Sequence, residues 1–176
     1  MHRLFVAVRP PRAIREQLLD LMEGVQNARW QDEEQLHLTL RFIGEVGRHQ
    51  AEDVAFALQN VSHRPFHVRL SGVGSFERSG RGTLWAGLSP REDLEALHKK
   101  VDQACVRVGI APDNRAYHPH ITLARIGRST GPRELYLQHW AGLSSVDFPI
   151  DEFRLYESRL GSEGASYTTI ARYPMR

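Results

Sequence analysis

The segment Leu36-His37-Leu38-Thr39-Leu40-Arg41-Phe42 alternates apolar and polar residues without a break. A period of two fits a strand buried on one face, and it fits no helix. Leu36, Leu38, Leu40 and Phe42 fall on one face, and His37, Thr39 and Arg41 on the other. Tyr117 to Ala124 (YHPHITLA) reads the same way, with His120 and Thr122 on one face and Ile121 and Leu123 on the other. The fold must therefore accommodate two half-buried strands, each carrying His-x-Thr-Leu, at positions 83 residues apart.

The rest of the chain supplies partners for them. Arg3 to Val8 has the β-branched, apolar content of a buried strand, and Pro10 and Pro11 then open a helix with Ile14, Leu18, Leu21, Met22 and Val25 at helical spacing. Gly44 and Gly47 are expected to end the first motif strand, and a helix is expected from Gln50 to Val61. Phe66 to Phe76 and Thr83 to Leu88 read as strands joined by a turn. The clearest helix runs from Arg91 to Val108, where Leu94, Leu97, Val101, Ala104, Cys105 and Val108 form one stripe and Gly109 a stop. A shorter helix is expected from Pro132 to Trp140, and strands from Phe148 to Leu160 and Ser166 to Tyr173. Helices interleaved with turn-linked strands, without a dividing linker, predict one α+β unit over residues 1–176 with mainly antiparallel pairing.

Composition narrows the function classes. Nothing reads as a secretory signal, and no run approaches the roughly 20 apolar residues of a membrane-spanning helix. The single cysteine, Cys105, excludes an internal disulfide and a cysteine-based zinc site, and it fits a cytoplasmic protein. A net charge of +2 is too small to announce a nucleic-acid protein. Position is more informative: Arg41, Arg48, Arg78, Arg81, Arg115, Arg125 and Arg128 fall near turns or near the two motifs, and a guanidinium fork suits phosphate oxygens.

With nine His and six Thr, shuffling gives about 0.3 copies of His-x-Thr, so two copies with matching apolar neighbours are a strong signal. Residues i and i+2 of a strand stand about 6–7 Å apart on one face, so each motif presents an imidazole beside a hydroxyl. Two such strands facing a cleft offer what hydrolysis of a cyclic phosphate needs. One neutral His takes a proton from water, a protonated His gives one to the departing oxygen, and hydroxyls donate to the non-bridging oxygens. His37 and His120 are the candidate catalytic residues. Thr39, Thr122 and Arg125 are candidate substrate contacts, with Arg41 weaker.

Other readings compete. His118-Pro119-His120 could begin a zinc site, yet no further ligand motif accompanies it. An RNA-end binding module would not need two histidines. A phosphodiesterase for small nucleotides, such as 2'-5'-linked oligoadenylates, would use the same four residues. Trp30, Trp85 and Trp140 read as packing residues, and Phe42 falls on the apolar face of its strand.

At these residues the chain resembles the two-histidine phosphoesterase superfamily, and most closely the RNA 2',3'-cyclic phosphodiesterases historically called 2'-5' RNA ligases. RLFVAVRPP is similar to the family's opening strand and turn, HLTLRFIGEVG and HPHITLAR to its two signatures, and LWAGL to its middle strand. The resemblance implies a bilobal α+β fold with two pseudo-symmetric lobes around a central cleft. It implies hydrolysis of terminal 2',3'-cyclic phosphate to a 2'-phosphate, without metal or cofactor, and weak reverse joining in some members. It also implies His37 as general acid to O3', His120 as general base for water, and Arg125 at the arginine of the second signature. The expected partners are RNA with cyclic-phosphate ends or small cyclic nucleotides, with no membrane, and the expected state is a monomer.

Overall fold

Each predicted segment forms near its expected place in the computed structural model, which describes residues 1–176. The elements are β1 (His2–Val8), α1 (Arg12–Leu19), β2 (Arg29–Trp30), β3 (Leu38–Val46), α2 (Arg48–Ala57), β4 (Phe66–Arg78) and β5 (Arg81–Ser89). They continue through α3 (Glu92–Arg107), β6 (His120–Ile126), α4 (Glu134–His139), β7 (Phe148–Ile150), β8 (Glu152–Gly161) and β9 (Gly164–Pro174). Several boundaries differ from expectation: the strand expected from Tyr117 starts at His120, and the one expected from Phe148 to Leu160 is two, β7 on β4 and β8 between β1 and β9. The first helix stops at Leu19, and Gly44, at φ 90°, lies inside β3 rather than ending it. The two-residue β2 and the 3-10 turn Glu33–Gln35 carry no periodic pattern that would announce them.

All strand pairs are antiparallel, in the order β7-β4-β5-β6-β3-β1-β8-β9, with β2 also on β6. The motif strands β3 and β6 meet at the middle of this order, each backed by three further strands. They touch through one residue pair, Leu38 with Ile121. Beyond it β3 parts from β6, and β2 takes over the same edge of β6 at Ala124 and Arg125. Two four-strand halves therefore join at a narrow seam and splay on either side of it. No helix is long and apolar enough to cross a membrane.

A core of 32 buried residues lies on the face opposite the motif histidines and includes Leu38, Leu40, Ile121 and Leu123. The α3 stripe, from Leu94 to Cys105, is fully part of it. Removing a Leu side chain from such a core typically costs about 2–5 kcal/mol.

The two motif strands share one irregularity. In β3, Thr39 pairs with Ala7 and Arg41 with Val6, so Leu40 is an extra residue. In β6, Thr122 pairs with Trp85 and Ala124 with Leu84, so Leu123 is extra. A bulge of this kind reverses the facing of every later side chain. The final Leu of each His-x-Thr-Leu is thus the bulged residue, and the side chains after it change faces, in β3 until a second extra residue at Ile43.

Candidate active site

Reversal by the bulge corrects two expectations. Arg41 does not share the face of His37 and Thr39: it turns inward, is only 6% exposed, and its Nε donates to Asp102 Oδ1 at 2.7 Å. Its other nitrogens donate to the carbonyls of Phe42 and Ala111. Arg41 is therefore a structural ion-pair residue, removed from the substrate candidates. Phe42 moves the other way, from the predicted apolar face to the cleft, where it is 60% exposed. In β6 the same reversal buries Ala124 beside Leu123 and brings Arg125 round to the cleft side. Without the bulge, Arg125 would point away from Thr122, three residues before it.

His37 stands just before β3, at the end of the 3-10 turn. That turn is closed by a capping box between Asp32 and Gln35. Arg9 braces it from below, its Nη1 donating to the carbonyls of Glu33, Glu34 and Leu36 at 2.9, 3.0 and 3.3 Å. Gln35 Nε2 donates to Ala165 O on β9 at 2.9 Å. The imidazole is 7% exposed and walled by Phe5, Tyr156 and Tyr167, with ring centroids 6.0, 4.5 and 5.3 Å away. Burial pushes its pKa down to about 4, and the positive charges of Arg9, Arg154 and Arg15 add to that. The Gln35 carbonyl offsets this only in part, since Nδ1 completes no hydrogen bond.

His120 opens β6 in different surroundings. Its Nδ1 lies 2.6 Å from the His118 carbonyl, which fixes Nδ1–H as donor and leaves Nε2 for the cleft. Phe76 meets the ring edge-on at 5.1 Å, and Trp85 lies 6.0 Å away. Gly74 makes the room for that indole, because a Cβ there would come within 2.3 Å of it. Trp85 thus packs behind His120 and Trp30 against Tyr136, both as expected. Burial lowers the His120 pKa too, and the bond to His118 O works against the shift.

Thr39 and the strand beyond it are held from behind. Tyr117 Oη donates to Thr39 O at 2.9 Å, and His98 Nδ1 bonds Leu40 O at 2.6 Å while stacking on Tyr117 at 4.2 Å. His98 and Tyr117 carry no motif, so sequence reasoning does not find them.

The seam sets the geometry of the whole site. Pairing Leu38 with Ile121 in antiparallel register places His37 opposite Thr122, and Thr39 opposite His120. The two histidines therefore occupy diagonal corners of a four-residue array, roughly 7–8 Å apart for such a diagonal. The cavities conform to this plan. A hollow of about 440 Å³ holds His37, Thr122, Thr39 and Arg125, and an adjoining one of about 240 Å³ holds His120 and Thr39. Phe42 and Arg115 stand on the boundary and line both. The cleft thus gathers the five candidates that remain once Arg41 is set aside. His118 lies beside His120, but no third His, Cys, Asp or Glu joins them in a metal-binding group.

A sheet of this order with a His-x-Thr pair at its central seam defines a two-histidine phosphoesterase fold. Comparison with known proteins narrows the class. The 2'-5' RNA ligase superfamily profile matches residues 6–161, and the chain belongs to that family. It is 30% identical over 169 residues to an Archaeoglobus fulgidus RNA 2',3'-cyclic phosphodiesterase, covering 94% of this chain and 96% of that one. It is 31% identical over 149 residues to a Geobacillus stearothermophilus RNA 2',3'-cyclic phosphodiesterase. That alignment covers 83% of this chain and 47% of the longer relative, so the chain spans about half of its length. Among solved structures it is similar to E. coli LigT complexed with 3'-AMP, with a TM-score of 0.80 and 27% identity over 99% of this chain and 98% of that one.

Proposed function

We propose that the protein is an RNA 2',3'-cyclic phosphodiesterase that opens terminal cyclic phosphates to 2'-phosphates, using His37 and His120 as an acid–base pair and no metal. The observation that carries this reading is the diagonal placement of the histidines across the Leu38–Ile121 seam. In-line displacement puts the attacking water and the departing O3' on opposite sides of phosphorus. Two proton-transfer groups at opposite corners, with a threonine beside each, meet that demand. Groups on one side would not.

In this reading the phosphate sits over the middle of the array. Thr39 and Thr122 donate to its non-bridging oxygens, and Arg125 approaches along the Thr122 side. His120, its Nδ1–H held by His118 O, takes the proton of water at Nε2, and the carbonyl stabilises the imidazolium that forms. His37 donates to O3'. Because burial holds free His37 neutral to about pH 4, the negative charge of the bound phosphodiester must raise its pKa before it can donate. The two rings then share one proton as a coupled pair. Replacing water by the 5'-hydroxyl of a second RNA gives a 2'-5' linkage by the same steps, which accounts for weak reverse joining.

The test is an end-group assay on an RNA oligonucleotide ending in 2',3'-cyclic phosphate, run in excess chelator. A 2'-phosphate product formed at an undiminished rate is expected. A 3'-phosphate product would mean that O2' departs and would overturn the assignment of O3' as leaving group, whereas activity lost to chelator and restored by zinc would replace this reading with a metal site built on His118 and His120.

A further inference from the structure

Arg29 and Arg125 are directly opposite each other where β2 pairs with β6. Residues so paired share a face, with Cβ atoms about 4.5–5.5 Å apart, and like charges there are destabilising. Neither guanidinium has a carboxylate partner or a side-chain hydrogen bond, although eight Arg–carboxylate pairs form elsewhere. Both line a small polar trough of about 90 Å³, which Glu163 also lines without pairing with either. This trough opens from the His37 hollow, with which it shares Gln31, Gln35, Arg125, Ala165 and Tyr167. Arg125 lines both spaces, whereas Arg29 lines the trough alone.

Two uncompensated cations side by side, next to the larger hollow of a phosphoester site, have the chemistry of an anion subsite. Its position identifies the anion. If His37 serves the departing O3', the ribose lies on the His37 side of phosphorus, in the 440 Å³ hollow. The next phosphate along the chain is then the one on O5' of that same ribose. Arg125 and the Arg29 paired with it lie two rungs of the β5–β6 ladder beyond Thr122, roughly 6–7 Å along the strand, a separation of the order of one nucleotide step. We propose that Arg29, with Arg125 reaching toward it from the reacting phosphate, binds the 5'-phosphate group of the terminal nucleoside, so that the enzyme distinguishes an RNA end from a free cyclic nucleotide. This rests on the function proposed above.

The same phosphate can come from an internucleotide linkage or from a 5'-monophosphate, and three substrates separate these sources. They are adenosine 2',3'-cyclic monophosphate, its 5'-phosphorylated form, and the dinucleotide ApA ending in 2',3'-cyclic phosphate. With the wild-type protein, kcat/KM for the second and third is expected to exceed that for the first by about tenfold or more. Arg29→Ala should remove most of that gain while leaving the first substrate unchanged, which also reports an intact fold, and Arg29→Lys should restore part of it. The salt dependence of kcat/KM for the dinucleotide should flatten by about one unit of log–log slope, the loss of one phosphate contact. A gain with the dinucleotide alone would mean that the trough reads a nucleoside rather than a phosphate, and would overturn the proposal. So would Arg29→Ala slowing all three substrates alike, or none. Failure of the wild-type protein on every substrate would instead sink the function itself.

Discussion

His37 and His120 occupy matching positions at the heads of two strands that bulge at the same place, yet His37 is the more deeply enclosed. His37 is enclosed by three aromatic rings, and its inner nitrogen completes no hydrogen bond. His120 has its inner nitrogen on a backbone carbonyl and lines the smaller hollow. Five positions after each histidine the strands differ again: Phe42 enters the cleft from one lobe and Arg125 from the other. The duplication therefore supplies a symmetric frame, and the residues hung on it supply the difference that a directional proton transfer requires. An enzyme whose acid and base were in identical settings would have no reason to start the proton on one side.

The largest test of this comparison is removal of either ring. His37→Ala and His120→Ala are each expected to lower turnover by roughly 10²–10⁴, the usual range for lost acid–base assistance, with folding retained. A single variant with near wild-type turnover would end the two-histidine mechanism.

Next in size is the difference in how the bulges are filled. Ala124 needs no partner in the core, but Arg41 at the matching place is a buried cation paired with Asp102. Asp102 also accepts from the Asp113 amide at 3.2 Å, tying the loop that carries Arg115 to the same pair. Arg41→Ala strands a carboxylate, and a loss of about 3–5 kcal/mol of stability is expected by denaturant unfolding. A loss below about 1 kcal/mol would mean that the pair is not what seats the loop.

The enclosure of His37 predicts a pH effect on stability. Its folded pKa, about 4, lies below the ordinary value of 6.5, so between these the unfolded chain binds the proton and the native one does not. Stability should therefore fall as pH drops from about 6.5 toward 4, by about 3 kcal/mol at most from this residue. His120 is shifted in the same direction and adds to the slope. His37→Gln should flatten it, and inorganic phosphate should raise the His37 pKa in a histidine NMR titration. A free-protein value near 6.5 would contradict the enclosure described here.

The smallest effects are expected from the hydroxyls. Thr39→Ala and Thr122→Ala should slow catalysis by no more than about 2.7 kcal/mol of barrier, the low end for one transition-state donor, because this cleft is open to water. The shape of the pH–rate profile should not change, since neither threonine carries a proton in the reaction.

Much of this site was legible in the sequence because strand periodicity survives into the structure. Leu36, Leu38, Leu40, Ile121 and Leu123 are buried, and His37, Thr39, His120 and Thr122 reach the cleft. Alternation misleads after the bulge, where Arg41 and Phe42 exchange faces. The adjacent apolar pair Leu123-Ala124 hints at a doubled inward position, but the matching Leu40-Arg41 conceals it behind a charge whose partner, Asp102, lies 61 residues away. The aromatic walls around the two histidines come from β1, β4, β5, β8 and β9, so no local spacing announces them. The Arg29–Arg125 pairing depends on a two-residue strand too short to leave a pattern.

The central claim is that the two diagonal histidines hold opposite ends of one proton transfer, and a substrate with sulfur in place of the departing O3' tests it most directly. A thiolate leaves without protonation, being the anion of an acid with a pKa of roughly 8.5 rather than that of an alcohol. The measurement is the ratio of rates on the sulfur and oxygen cyclic substrates for the wild type, His37→Ala and His120→Ala. The account predicts that sulfur rescues His37→Ala to within about tenfold of the wild type and leaves His120→Ala as slow as before. Rescue of both variants, or of neither, would contradict the division of acid and base between the two strands.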